Sequence, residues 1–285
     1  MPASVNPKVP LPLQTQVVTV DAHCEGQRWE AQNETHLARL IAIVASGQAS
    51  HAAEILKALS PASSAVPLPD LYRDARIKLS IQEDGKLPRT GYPRWQRDGF
   101  MFEVISWIAA RQDPSKLLLL LPPHISATAQ GVDGLMIELK SDKSEVLATT
   151  IFEDKCSEDP RGTFRDKVMP AFEARHRNER SVELLAAAST LLEKVAKDGT
   201  DANQLAAAVM DRSRRRYRAS FALTSEYDSQ RARAKLFKDY DKLAGLSKEQ
   251  RLGAGMIVSG ELRAWFDVLA DKAVAYIDHL LAECS

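Results

Sequence analysis

The sequence predicts an α/β protein, a mixed central sheet flanked by helices with a small N-terminal α/β extension. Three observations lead there. Apolar stretches of strand length follow one another in the middle of the chain at Leu117 to Leu121, Asp133 to Leu139 and Val146 to Lys155, with turn residues between them. Segments with apolar positions three and four apart lie on both sides of these strands. With 285 residues, 45% hydrophobic and 27% charged, the chain can bury a sizeable core.

Taken in order, residues 1–30 hold Pro2, Pro7, Pro10 and Pro12 and one strand-like stretch, Gln16 to Val20, where Val17, Val18 and Val20 favour extended backbone. No long apolar run follows a basic start, so no secretory signal is expected. From Glu34 to about Leu59, the positions of Leu37, Leu40, Ile41, Val44, Ile55 and Leu59 mark two short helices broken near Gly47. Pro61, Ser63, Ser64, Pro67 and Pro69 make 60–70 the best linker. This reading gives an N-terminal extension or subdomain (1–70) and a main domain (71–285), although a loop inside one domain fits the same residues.

Lys86 to Arg97 is rich in Pro, Gly and basic residues and leads to Asp98-Gly99, which could cap the next helix. That helix, about Phe100 to Ala110, is apolar nearly all round and should be buried on both faces. Gly131 and Gly134 flank the start of the second central strand, and Ser141 to Ser144 reads as the turn to the third. Helices are expected at about Phe164 to Arg177, Val182 to Lys197 and Ala202 to Asp211, forming a helical insertion. Strands at Tyr217 to Thr224 and Gly253 to Val258 enclose a charged helix, Ser229 to Leu243. The last helix, Glu261 to about Ala282, has the cleanest periodicity; its apolar face is core or, in a second reading, a partner groove.

Composition excludes several function classes. Lys+Arg and Asp+Glu are both 38, so net charge is zero and any grip on nucleic acid must be local or supplied by a partner. Cys24, Cys156 and Cys284 form no CxxC pair, which fits a reducing cytoplasm. The apolar run Leu117 to Leu121 is too short to cross a bilayer, so no membrane association is expected. The six histidines are scattered and no phosphate-binding glycine loop occurs, so nucleotide hydrolysis belongs to another subunit.

Three carboxylates and one lysine carry the chemistry. Glu103 is the only ionisable residue between Gly99 and Arg111, and a buried carboxylate needs a partner: a cation, a water held by one, or an arginine such as Arg111 or Arg94. Asp133, between glycine neighbours at a strand's start, is a turn residue or a ligand. Glu153 and Lys155 are two apart at a strand's end and share a face, whereas Asp154 points away. An acid and an amine placed so can pair simply as ions. They also suit phosphodiester hydrolysis, with the acid holding Mg²⁺ and the lysine orienting water or stabilising developing charge.

The order is a helical Glu, a strand, an Asp opening the second strand, Glu-x-Lys closing the third, then a helix. In this it resembles the PD-(D/E)xK nuclease superfamily over residues 99 to about 177. The resemblance implies a restriction-endonuclease-like αβββα core with Asp133 and Glu153 as metal ligands, Lys155 as the catalytic lysine and Glu103 as a helical acid holding metal or its water. Val132 stands where the motif has proline. Asp154 stands where an apolar residue is usual, so it either meets an arginine on the other face of the sheet or marks a different strand register. More narrowly, the chain is similar to the HamA-type nuclease subunit of Hachiman antiphage defence, which implies a helicase partner. The implied activity is Mg²⁺- or Mn²⁺-dependent hydrolysis of DNA. The alternatives are a catalytically inactive subunit of the same fold that binds a partner or nucleic acid, and an unrelated metabolic α/β enzyme.

Arg161, Arg165 and Lys167 sit where a nucleic-acid strand would pass in such a fold. Arg212, Arg214, Arg215, Arg216 and Arg218 could track phosphates or form a solvated helix end.

Overall fold

The computed structural model describes residues 10–58, 65–112, 117–124, 132–179, 181–196 and 199–284. Seven strands form one mixed sheet: β1 (Leu13–Thr19), β2 (Glu25–Ala31), β3 (Leu117–Leu120), β4 (Gly134–Leu139), β5 (Val146–Cys156), β6 (Arg215–Leu223) and β7 (Arg251–Ile257). Their spatial order is β1-β2-β7-β6-β5-β4-β3. The central strands β2, β7, β6 and β5 run parallel, and an antiparallel partner or hairpin lies at each edge.

Alternation along the strands divides the core. On β5, Phe152 joins one hydrophobic cluster and Ile151 the other, and Ala222 and Phe221 do the same on β6. The first face is covered by α1 (Glu34–Ala45), α2 (Ala49–Ala58), α3 (Pro69–Leu79), α4 (Arg94–Arg111) and α10 (Leu262–Glu283). The second is covered by α6 (Met169–His176), α7 (Ser181–Leu192), α8 (Gly199–Val209) and α9 (Gln230–Leu236), with α5 (Pro160–Thr163) leading in after β5. A π-helical turn, Phe164–Val168, joins α5 to α6. The result is an α/β/α sandwich, as expected for strands whose parallel pairing needs crossover helices.

Several elements depart from expectation. Strand β2 was not foreseen: Gln27, Arg28 and Glu30 interrupt its apolar character, and its place between β1 and β7 comes from tertiary pairing. Residues before 70 share the sheet and the first core with those after it: β2 pairs with β7, and α1 packs against α10. Within the expected linker, residues 60–64 lie outside the described residues, and Pro69 opens α3. The fourth helix begins at Arg94 after Pro93, so Asp98 is no cap: its fully buried carboxylate accepts from Arg97 (Nε at 2.9 Å) and from Arg263 of α10 (2.7 Å). Among the described residues no helix is long and apolar enough to cross a membrane.

Candidate functional site at the open end of strands β4 and β5

Glycine at position 134 fixes the local geometry. Gly134 lies opposite Phe152 in the β4–β5 ladder, and a Cβ there would stand 2.5 Å from the Phe152 ring. Because the strands approach so closely, the residue just before β4 reaches the main chain of β5. Asp133 Oδ2 accepts from the backbone N–H of Asp154 at 2.9 Å and from Lys155 Nζ at 2.5 Å. The same ammonium stands 2.9 Å from Glu153 Oε2. Residues 133, 153 and 155 thus meet at one nitrogen atom, and the two carboxylate oxygens can be no farther apart than the sum of those two contacts.

The electrostatics follow from crowding two acids in a partly dry place. Burial and the neighbouring Asp133 charge push the Glu153 carboxyl up, with Lys155 and Arg175 acting against them. Burial disfavours the Lys155 ammonium, but Glu153 and Asp133 outweigh it and hold its pKa above the ordinary lysine value. Arg175, from α6, is 3% exposed and its Nη2 lies 3.6 Å from Glu153 Oε1. Sequence inspection missed Arg175, because its partner lies 22 positions earlier on a different element.

Glu103 faces the same cavity with another partner. Its Oε1 accepts from the backbone N–H of His124 at 2.7 Å, and its Oε2 lies 3.1 Å from His124 Nδ1. Neither arginine considered as its partner takes part: Arg94 pairs with Asp267 of α10, and Arg111 lies over the Trp107 ring. His124 is held above the usual histidine range, first by its hydrogen bond to Glu103 and against the cost of burial. It is a site residue that sequence reading passed over as one scattered histidine; its only signal was the Pro-Pro-His sequence closing a strand.

Asp154 takes the other face of β5, as its alternation requires. It is fully buried, 3.8 Å from Arg218 Nη2, and its Oδ1 has no hydrogen-bond partner among the described atoms. Desolvation pushes its carboxyl up to about 7 against the pull of Arg218. Arg218 in turn donates to Ser106 and lies 3.5 Å from the centre of the Phe152 ring.

Within the arginine cluster, Arg212 is exposed, whereas Arg214, Arg215, Arg216 and Arg218 are engaged by the protein itself. Arg212 and Arg214 sit in a short 3-10 turn, and Arg215, Arg216 and Arg218 belong to β6. Arg215 is fully buried and donates to main-chain carbonyls of Arg175 and Met210, while Arg214 and Arg216 pair with Glu145 and Glu138. Alternation along a strand buried on both sides consumed these charges. Arg161 is likewise an internal strut, donating to the carbonyls of Leu236 and Lys238 and to Asp239. Arg165 is exposed and pairs with Asp166 at 2.6 Å. Of the three residues expected along a nucleic-acid path, Lys167 is the one that lines the cavity.

That cavity, about 520 Å³, is lined by Glu103, His124, Asp133, Lys155, Lys167 and Trp95, among others. Glu153 lies behind Lys155, at 5% exposure. Among the described residues no group of three or more His, Cys, Asp or Glu could hold a metal ion together, so the three acids do not form one ligand set as they stand. The donor chemistry of Asp133 and Glu153 nonetheless fits a hard cation: two carboxylates converge on a point now filled by an ammonium, and Mg²⁺ commonly takes one or two carboxylates and keeps waters. Glu103 is engaged by His124 and lines the same cavity. Gly131 lies outside the described residues.

No protein-family model matches this chain, and neither a curated protein nor a solved structure does.

Proposed function

We propose that this protein is a metal-dependent deoxyribonuclease of the PD-(D/E)xK kind. One observation carries the reading: Asp133, just ahead of β4, and Glu153, on β5, converge on the amine of Lys155 beside a cavity. The succession of α4, the antiparallel strands β3, β4 and β5, and the helices from Pro160 supports it, since it follows the αβββα order of that superfamily.

A Mg²⁺ or Mn²⁺ bound by Asp133 and Glu153 would polarise the phosphate and lower the pKa of a bound water. Lys155 donates hydrogen bonds to a phosphate oxygen and stabilises the charge that grows there as the attacking water oxygen bonds to phosphorus, giving its proton to solvent, and the bond to the leaving ribose oxygen breaks, that oxygen taking a proton from solvent. Glu103 and His124, which line the same cavity, orient water. Arg175 holds Glu153 in place and offsets part of its charge. With zero net charge, the chain gains its hold on DNA from a second subunit, and the resemblance to HamA-type proteins makes that subunit a helicase in antiphage defence.

The test is degradation of plasmid DNA by the purified chain or its native complex with Mg²⁺ or Mn²⁺. Glu153→Gln and Lys155→Ala should each lower the rate at least about a hundredfold, the scale of losing one transition-state contact, with unchanged circular dichroism. Equal cutting by wild type and both variants removes the assignment. The engagement of Glu103 by His124 favours a second reading, a subunit of this fold that binds without cutting. Its mark is failure of Mn²⁺ to bind wild type more tightly than Asp133→Ala.

A further inference from the structure

Trp95 stands out among the four tryptophans. Trp29, Trp107 and Trp265 are 1%, 4% and 7% exposed, whereas Trp95 is 64% exposed. It lies in the first turn of α4 and lines the cavity that holds Glu103, Asp133 and Lys155. An aromatic ring of this size left in water at a cavity mouth forgoes burial that a core position would supply. The cavity carries Lys155 and Lys167 beside the acids Glu103 and Asp133, and a basic, aromatic stretch precedes Trp95 in the chain. Lys167, exposed, lines the same cavity, and three residues before Trp95 the Tyr92 ring lies under the Arg89 guanidinium, 4.7 Å from its centre. Arg89 and Lys86 belong to an exposed loop closed by the Ile81–Tyr92 bridge just ahead of α4.

We infer that Trp95 is a stacking platform for one base of single-stranded DNA, and that it selects unpaired strands for the site at Lys155. The inference rests on the nuclease reading above and deepens it. A base in a duplex has both faces covered by its neighbours, so a single exposed indole can stack only on an unpaired or terminal base. Interleaved cations and aromatic rings suit a strand whose backbone is held by charge and whose bases are held by π-faces without sequence preference. The cavity, about 520 Å³, is in the range of small-ligand sites and has room for a splayed nucleotide.

The experiment measures binding of a fluorescein-labelled oligothymidylate and of a blunt DNA hairpin by anisotropy, with Ca²⁺ in place of Mg²⁺ so that cutting does not intervene. Trp95→Ala should weaken oligothymidylate binding roughly fivefold to a hundredfold, the range for one lost base–aromatic stack, and Trp95→Phe should stay within about threefold of wild type. The oligonucleotide should also quench the long-wavelength tryptophan emission of wild type, and that component should be missing in Trp95→Ala. Unchanged binding by Trp95→Ala overturns the inference and leaves Trp95 to a protein partner; hairpin binding as tight as oligothymidylate binding overturns the strand selection. A Lys155→Ala cutting assay alongside separates the two claims. Lost cutting with Trp95-independent binding removes this inference alone, and undiminished cutting with Trp95-dependent binding removes the catalytic assignment alone.

Discussion

Replacing Asp154 by asparagine tests whether an acid was buried behind the site at a cost in stability. Asp154 is fully buried, near one cation at 3.8 Å, with Oδ1 lacking a hydrogen bond. Its carboxyl is pushed up to about 7 from an ordinary value of 3.8. The folded state therefore binds a proton that the unfolded chain has released between those two values, and the folded state loses ground as pH rises through that window. At about 1.4 kcal/mol per unit, the interval from pH 5 to pH 7 costs wild type roughly 3 kcal/mol from this group. For a chain of 285 residues that is a fall in Tm of roughly 5 °C. In Asp154→Asn the slope from this residue vanishes, while the unpaired Arg218 adds an offset that does not depend on pH in that range. Thermal unfolding of both proteins at half-unit steps from pH 5 to 8 checks this. The other titrating groups are common to both, so the informative quantity is the difference curve, which should move in favour of the variant as pH rises. Parallel curves would refute the account of Asp154 as a carboxyl strained by desolvation.

Arg161→Ala should destabilise the fold by about 1–3 kcal/mol in urea, since it unties two carbonyls and Asp239 from α5, and should leave DNA affinity within twofold. Glu103→Gln should lower the titration midpoint of His124, read from its imidazole proton shifts. Because the folded His124 pKa is raised, its share of stability, under about 1 kcal/mol for a partly exposed pair, is present below the ordinary histidine range and is lost as pH rises through the raised value, so the variant should lose most at the acid end.

The order of elements from α4 to β5 was legible because each is decided locally. Leu117–Leu120 and Val146–Cys156 are apolar and bounded by turn residues, and position parity alone sent Glu153 and Lys155 to one face and Asp154 to the other. What was not legible depends on distant partners. Strand β2 is polar and exists because β1 and β7 flank it. Helix α3 did carry a readable signal, with Tyr72, Ala75 and Leu79 buried at helical spacing, but prolines before it drew attention to a linker. The first turn of α4 reads as a basic loop until Arg94 and Arg97 are seen against Asp267, 170 or more positions away. At the site, the pairing of Glu103 with His124 spans a segment whose path no periodicity encodes.

The bond from the Asp154 main-chain N–H to Asp133 makes the opposite end of the hairpin a safe place for engineering. Because Ser141–Ser144 lies at the far tip, a tag inserted there lengthens the turn without moving Asp133 relative to Glu153 and Lys155. Only a slip along the ladder, breaking the register of Gly134 with Phe152, would separate them.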